Sequence, residues 1–92
     1  MNRSQLVEAV AEAAGLGTRD ADRAIAATLE TIIAAVTAGD SVTLAGFGTF
    51  ERRSRAARTG RNPQTGATME IPAGVTPAFK AAAAFRRRVT EA

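Results

Sequence analysis

Arg52, Arg53, Arg55, Arg58 and Arg61 stand between Glu51 and Glu70 with no acid among them. The guanidinium group is planar, permanently charged and presents its donors as a fork that matches two phosphate oxygens at once. Arg53 and Arg55 are two residues apart, so in an extended chain they share one face. The segment Asn62-Pro63-Gln64-Thr65-Gly66 then carries turn chemistry, since Pro presets φ and Gly accepts positive φ. A row of guanidinium forks on a ribbon suits a polyanion backbone. A rigid ring at the ribbon's tip has the shape of a wedge for separating stacked planar groups. A charge run alone is commonly a solvated, disordered stretch, but the turn and the returning strand argue against that here.

Other chemistries lack their residues. The chain has no Cys and no His, which removes disulfides, thiolate metal sites and the usual general base together. Glu51 and Glu70 flank the arginine run, yet no base, nucleophile or metal set accompanies them. The expectation is no enzyme, no cofactor and no small-molecule substrate. The longest uncharged run, Ser41 to Phe50, has ten residues, against about 18–20 for a spanning helix. Glu8 and Glu12 break any signal-peptide core. A cytoplasmic protein with no membrane partner is expected. The formal charge of +3 is unevenly spread: residues 1–45 carry three Arg and six acids, and residues 46–92 carry nine basic residues and three acids. That polarity is the footprint of a polyanion binder.

The positioning elements follow from period and punctuation. Asn2 with Gln5 resembles a capping box, and Leu6, Val10 and Ala14 precede a stop at Gly15, which predicts a helix over 3–14. Thr18 reads as a second N-cap, with Asp20 and Asp22 in the first turn and Gly39 as the stop of a helix over 19–38. Its stripe of Ala21, Ile25, Thr28, Leu29, Ile32 and Val36 widens through Ala24 and Ile33. So wide a stripe suits both an intrachain neighbour and a second chain, and 92 residues offer little else to cover it. From Asp40 the period becomes two, and Gly46-Phe47-Gly48 interrupts a hairpin whose Phe47 and Phe50 read as core plugs. Residues 52–74 form a long two-stranded ribbon with almost nothing apolar to bury, expected to stay mobile until it meets a ligand. Pro77 opens a third helix over 78–90, with Phe79, Ala82, Phe85 and Val89 at helical spacing and Arg86, Arg87 and Arg88 in its last turns.

Four stretches carry a family resemblance over nearly the whole chain. They are Val42 through Phe50, Arg55 through Gly66 with its GRNPQTG tip, Ile71-Pro72-Ala73, and Pro77 through Lys80. The chain resembles the HU and integration-host-factor family of bacterial DNA-binding proteins. The resemblance implies an α+β fold: a helical dimerisation body, a β-hairpin saddle and a long two-stranded β-ribbon arm, assembled as an intertwined dimer. It implies one domain over 1–92, with body 1–51 and 75–92 and arm 52–74. The partners implied are double-stranded DNA, above all bent, nicked or flexible duplex, and a second subunit, identical or a paralogue. Localisation in the nucleoid is implied as well. Arg52, Arg53, Arg55, Arg58, Arg61 and Asn62 stand as arm contacts, Pro63 as the intercalating tip, and Arg3, Lys80 and Arg86 as body contacts to flanking phosphates.

The chain departs from the family pattern at Ala82-Ala83, where Gly-Lys is common. The body thereby carries one cation fewer per subunit, and Ala for Gly should stiffen the third helix by up to roughly 1 kcal/mol. HU-like members bind with little sequence preference, whereas integration host factor selects sites by indirect readout. The segment from Met69 to Phe85 looks more like HU. A basic RNA-binding protein is the other class open to such a charge pattern, but the shallow groove of A-form RNA gives a proline wedge less purpose.

Overall fold

The computed structural model describes all of residues 1–92, which fall into two compact units, Met1–Ala34 and Ala35–Ala92. In the first unit, α1 spans Arg3–Ala14. Its start is the expected capping box: Asn2 Oδ1 accepts from Gln5 N at 2.9 Å, and Gln5 Oε1 accepts from Asn2 N at 2.8 Å. Gly15 closes it in the left-handed region at φ +68, with Leu16 N donating to Ala11 O at 2.9 Å.

The next helix, α2, spans Thr18–Thr37, one residue earlier than expected at each end. Ala21 N donates to Gly17 O at 3.0 Å, so Gly17 supplies the first accepting carbonyl and Thr18 is helical rather than the cap. Asp20 lies in the first turn, whereas Asp22 lies beyond it. Thr28 and Thr31 return their hydroxyls to Ala24 O and Ala27 O at 2.7 Å, which lets Thr28 sit in a largely apolar stripe with its hydroxyl paired. Val7, Ala11 and Ala21 are buried, with Val10 and Ile25 against them. That core is slight: Leu6, Leu29 and Ile33 remain exposed. No helix is long and apolar enough to cross a membrane.

The second unit begins with the last turn of α2. Gly39, at φ +94, ends the helix, with Asp40 N donating to Ala35 O at 2.9 Å. Three antiparallel strands follow in the order β1 (Val42–Leu44), β2 (Gly48–Arg55) and β5 (Gly74–Ala81). Phe47 N donates to Leu44 O at 3.0 Å across a turn that uses Gly46 at φ +77. Gly48 is buried, and a Cβ there would stand 2.5 Å from Lys80 O and from Phe79 Cζ, so no larger residue fits between the strands.

The C-terminal third differs from expectation. Pro77 does not open a helix; it lies in β5 directly opposite Arg52. The edge position of β5 tolerates a proline. Phe79 is also in the strand, opposite Phe50 with ring centroids 4.7 Å apart. Short apolar runs satisfy both periods, and here pairing with β2 decides for the strand. The third helix, α3, is only Ala83–Thr90. Ala82 is its extended N-cap, with no side-chain bond, so the stiffening expected of alanine inside a helix does not arise at that position. Phe47, Phe50, Phe79 and Phe85 form one cluster, with centroids from 4.7 to 6.4 Å. Phe47 and Phe79 remain 44% and 41% exposed, so within one chain they are half-covered plugs.

Two further strands, β3 (Arg58–Arg61) and β4 (Thr68–Ile71), form a separate two-stranded sheet. The ribbon over 52–74 is thus two ladders, interrupted at Ala56-Ala57 and Pro72-Ala73. Pro72 has no N–H with which to continue the pairing.

Candidate nucleic-acid interface

Pairing register sorts the basic residues by face. In antiparallel strands, directly opposed residues share a side of the sheet. The pairs Thr49–Lys80, Glu51–Ala78, Arg53–Thr76 and Arg55–Gly74 make one face. The pairs Phe50–Phe79, Arg52–Pro77 and Ser54–Val75 make the other. One side of the sheet is therefore apolar where the phenylalanines cluster, and the opposite side presents Lys80, Arg53 and Arg55 beside threonine hydroxyls. Lys80 reaches this face as a strand residue, not as the helical residue the sequence suggested.

The arginines on this face differ in what holds them. Arg53 Nη2 lies 3.1 Å from Glu51 Oε1 on the same strand, with the arginine side chain 61% exposed. Such a contact orients the guanidinium but is screened by water, and a phosphate can displace it. Arg55 folds across the ribbon over Gly74, where a Cβ would stand 2.9 Å from its Nη2. The missing side chain at position 74 makes room for that guanidinium.

On the outer ladder, Arg58 is opposite Ile71 and Gly60 is opposite Met69 on one face. A Cβ on Gly60 would come within 3.0 Å of Ile71 Cδ1, so the isoleucine packs onto bare backbone. Arg61, opposite Thr68, takes the other face with Thr59 and Glu70. Every arginine from Arg52 to Arg61 is solvent-exposed.

The tip is built by its own hydrogen bonds. Asn62 N donates to Ala67 O at 2.8 Å, and Gly66 N donates to Asn62 O at 2.7 Å with Gly66 at φ +71. Asn62 Oδ1 accepts from Gln64 N at 2.9 Å, so this side-chain oxygen shapes the turn while Pro63 stands exposed at its crest.

The remaining positions lie elsewhere. Arg86 is exposed in α3, next to Arg87 and Arg88 at its C-terminal end. Arg3 belongs to the first unit, where Nη2 lies 3.4 Å from Asp22 Oδ1 with both side chains about half exposed. Arg52 is set apart from the other arm arginines: it shares the phenylalanine face, and its Nη1 donates to Thr37 O at 3.3 Å. Sequence reasoning missed this contact, and it missed Gly60 and Gly74 as seats for neighbouring side chains. A small residue directly opposite a large one in the hairpin register is the signal that could have found the glycines.

An acid-free run of arginines on exposed antiparallel strands, backed by an apolar sheet face, defines a polyanion-binding β-arm protein. The family model for bacterial DNA-binding proteins matches residues 1–90. DNA-binding protein HU of Nostoc sp. is 56% identical over 89 residues, 97% of this chain and 95% of the relative. DNA-binding protein HU of Geobacillus stearothermophilus is 53% identical over 97% of this chain and 99% of the relative. Among solved structures, a cocrystal of Anabaena HU with DNA superposes with a TM-score of 0.93 at 54% identity, covering 100% of both chains. HU from Thermotoga maritima gives 0.68 at 28% identity, covering 97% of this chain and 98% of that one. The chain belongs to the bacterial DNA-binding protein family, and these relatives are HU proteins.

Proposed function

We propose that this protein is an HU-like architectural DNA-binding protein that grips duplex DNA with its β-arms and bends it with little regard for base sequence. The observation that carries the reading is the basic face of β2 and β5 running into the arginine ribbon, in a chain similar over its full length to an HU bound to DNA. Arg53, Arg55, Arg58 and Arg61 neutralise phosphates, Asn62 and the tip turn present Pro63 to a base step, and Lys80, Arg86 and Arg3 meet flanking backbone. Phosphate contacts fix position without reading sequence, which gives affinity without base preference. The chain acts as one domain, body 1–51 and 75–92 with arm 52–74, and works on the bacterial nucleoid.

The working unit is a dimer. Leu29, Ile33, Phe47 and Phe79 are too exposed in one chain for a fold with so few buried side chains. Binding and bending make and break no covalent bond, so on this reading the protein acts mechanically rather than as an enzyme. The test is a competition among nicked duplex, intact linear duplex and duplex RNA of one length. The expected order is nicked DNA first, linear DNA second and RNA last; equal or tighter binding of RNA would overturn the reading.

A further inference from the structure

We propose that Arg52 is a positioning residue that fixes the root of the arm to the last turn of α2, and that it is not one of the phosphate ligands. Its place in the register is the first observation. Arg52 lies on the face of β2 that carries Phe50, opposite Pro77, whereas Arg53, Arg55 and Lys80 lie on the other face. A side chain on that side leaves the sheet away from the face that Arg53, Arg55 and Lys80 share.

Its partner is the second observation. Arg52 Nη1 donates to Thr37 O at 3.3 Å, one of the last carbonyls of α2. The closing carbonyls of a helix lack intrahelical donors, and the partial negative charge there favours a cation. The 20-residue α2 has no basic residue in its own last turn. Arg52 supplies from the sheet the cation that the helix sequence lacks.

Space is the third. Gly39 follows the helix at φ +94, and a Cβ there would stand 3.3 Å from Arg52 Nη2. Glycine at position 39 both accepts the left-handed turn and leaves room for the guanidinium. Because Arg52 is the first of the arm arginines and Arg53 and Arg55 follow on the same strand, holding Arg52 sets the direction in which those two project.

The assignment rests on the DNA-binding reading only for its second measurement, so the first is made without DNA. Amide hydrogen exchange is followed in the intact protein for Arg53, Ser54, Arg55, Val75 and Thr76. Arg52→Ala should speed exchange of the protected amides among them by about tenfold or more, with Arg52→Lys in between, because a charged hydrogen bond to the root is removed or weakened. Asn2→Ala, which removes the α1 cap, should lower the melting temperature without that local pattern. The second measurement is the salt dependence of affinity for linear duplex. Its slope should stay at the wild-type value in Arg52→Lys and Arg52→Ala, while Arg55→Ala flattens it. Unchanged root exchange in Arg52→Ala and Arg52→Lys overturns the proposal, and so does a slope flattened by Arg52→Ala as much as by Arg55→Ala. If Arg52→Ala does not fold, unchanged root exchange in Arg52→Lys overturns the proposal by itself. Failure to bind DNA at all would strike the functional reading and leave the exchange result standing.

Discussion

Between Arg53 and Arg55 the arm stands on an eight-pair ladder whose opposite face carries Phe50 and Phe79. Between Arg58 and Arg61 it has four pairs, and its apolar support is Gly60, Met69 and Ile71. The side-chain chemistry is the same in both stretches, but the backing is not. A two-stranded ribbon without a packed face is marginal in water. The root is therefore preorganised, with its cations held on a supported ladder. The outer ladder has less to hold it, so more of its interaction with a ligand should go into keeping it in shape.

The largest expected effect tests what root and tip have in common. If the dimer neutralises about 6–10 phosphates, affinity for any duplex should fall by about 10³–10⁵ between 50 and 200 mM salt. Binding isotherms across that range measure it. A shallow dependence would mean that neither stretch works mainly through charge.

Next in size is the difference in support. Phe50→Ala should destabilise the fold by roughly 3–5 kcal/mol, because it removes from the phenylalanine cluster a ring whose centroid lies 4.7 Å from that of Phe79 and 6.4 Å from that of Phe47. Ile71→Ala should shift the global unfolding midpoint by only about 0.5 kcal/mol, since the four-pair outer ladder buries little and its loss should leave the body folded. Denaturant melts at one fixed protein concentration compare the two. Raising that concentration should raise the wild-type melting temperature, as mass action requires of a dimer. Equal losses from the two substitutions would remove the distinction between root and tip.

A smaller effect sharpens it. Arg55→Ala and Arg58→Ala should each weaken all sequences alike, and each should lower the salt slope by about 0.9 for every phosphate no longer neutralised. Arg55 is seated over Gly74, so its removal should cost more affinity than that of Arg58, which stands on the shorter and less supported ladder. A variant that weakened one sequence alone would indicate base readout.

Much of the fold and of the arm is legible in the sequence, for reasons that are local. The capping box at Asn2, the left-handed stops at Gly15 and Gly39 and the turn at the arm tip are each set by neighbours in the chain, and each stands where the residues placed it. Pro77 reads as the opening of a helix and Ala78 through Ala81 as its first turn, yet all fold as strand, because the choice is made by Arg52, Phe50 and Gly48 across the ladder. No local pattern contains that partner. The same holds for Arg52: a charge run shows cations in a row, but only the register shows which of them turn to the far side. The break at Ala56-Ala57 and Pro72-Ala73 is half visible, since Pro72 announces it on one strand while the alanines opposite carry no signal.

The smallest effect on affinity belongs to the crest of the tip. Pro63 is exposed in a turn held by the Asn62–Gln64 and Asn62–Gly66 hydrogen bonds, none of which uses a Pro63 atom. Replacing it should therefore leave the turn largely in place. Pro63→Ala keeps every arginine, so attraction to straight DNA should change little. What it removes is the rigid ring. Unstacking a base step costs a few kcal/mol, and a bend persists only where a wedge holds the step open and more backbone comes onto the protein. Nicked or mismatched duplex has already given up part of that resistance. The variant should thus bend intact duplex less and show a smaller preference for nicked DNA, at nearly wild-type affinity for linear DNA. End-to-end energy transfer on a labelled duplex at saturating protein reads the bend directly. An unchanged bend with the nicked-DNA preference intact would show that Pro63 only shapes the turn, and bending would then have to be assigned to the preorganised cations of the root.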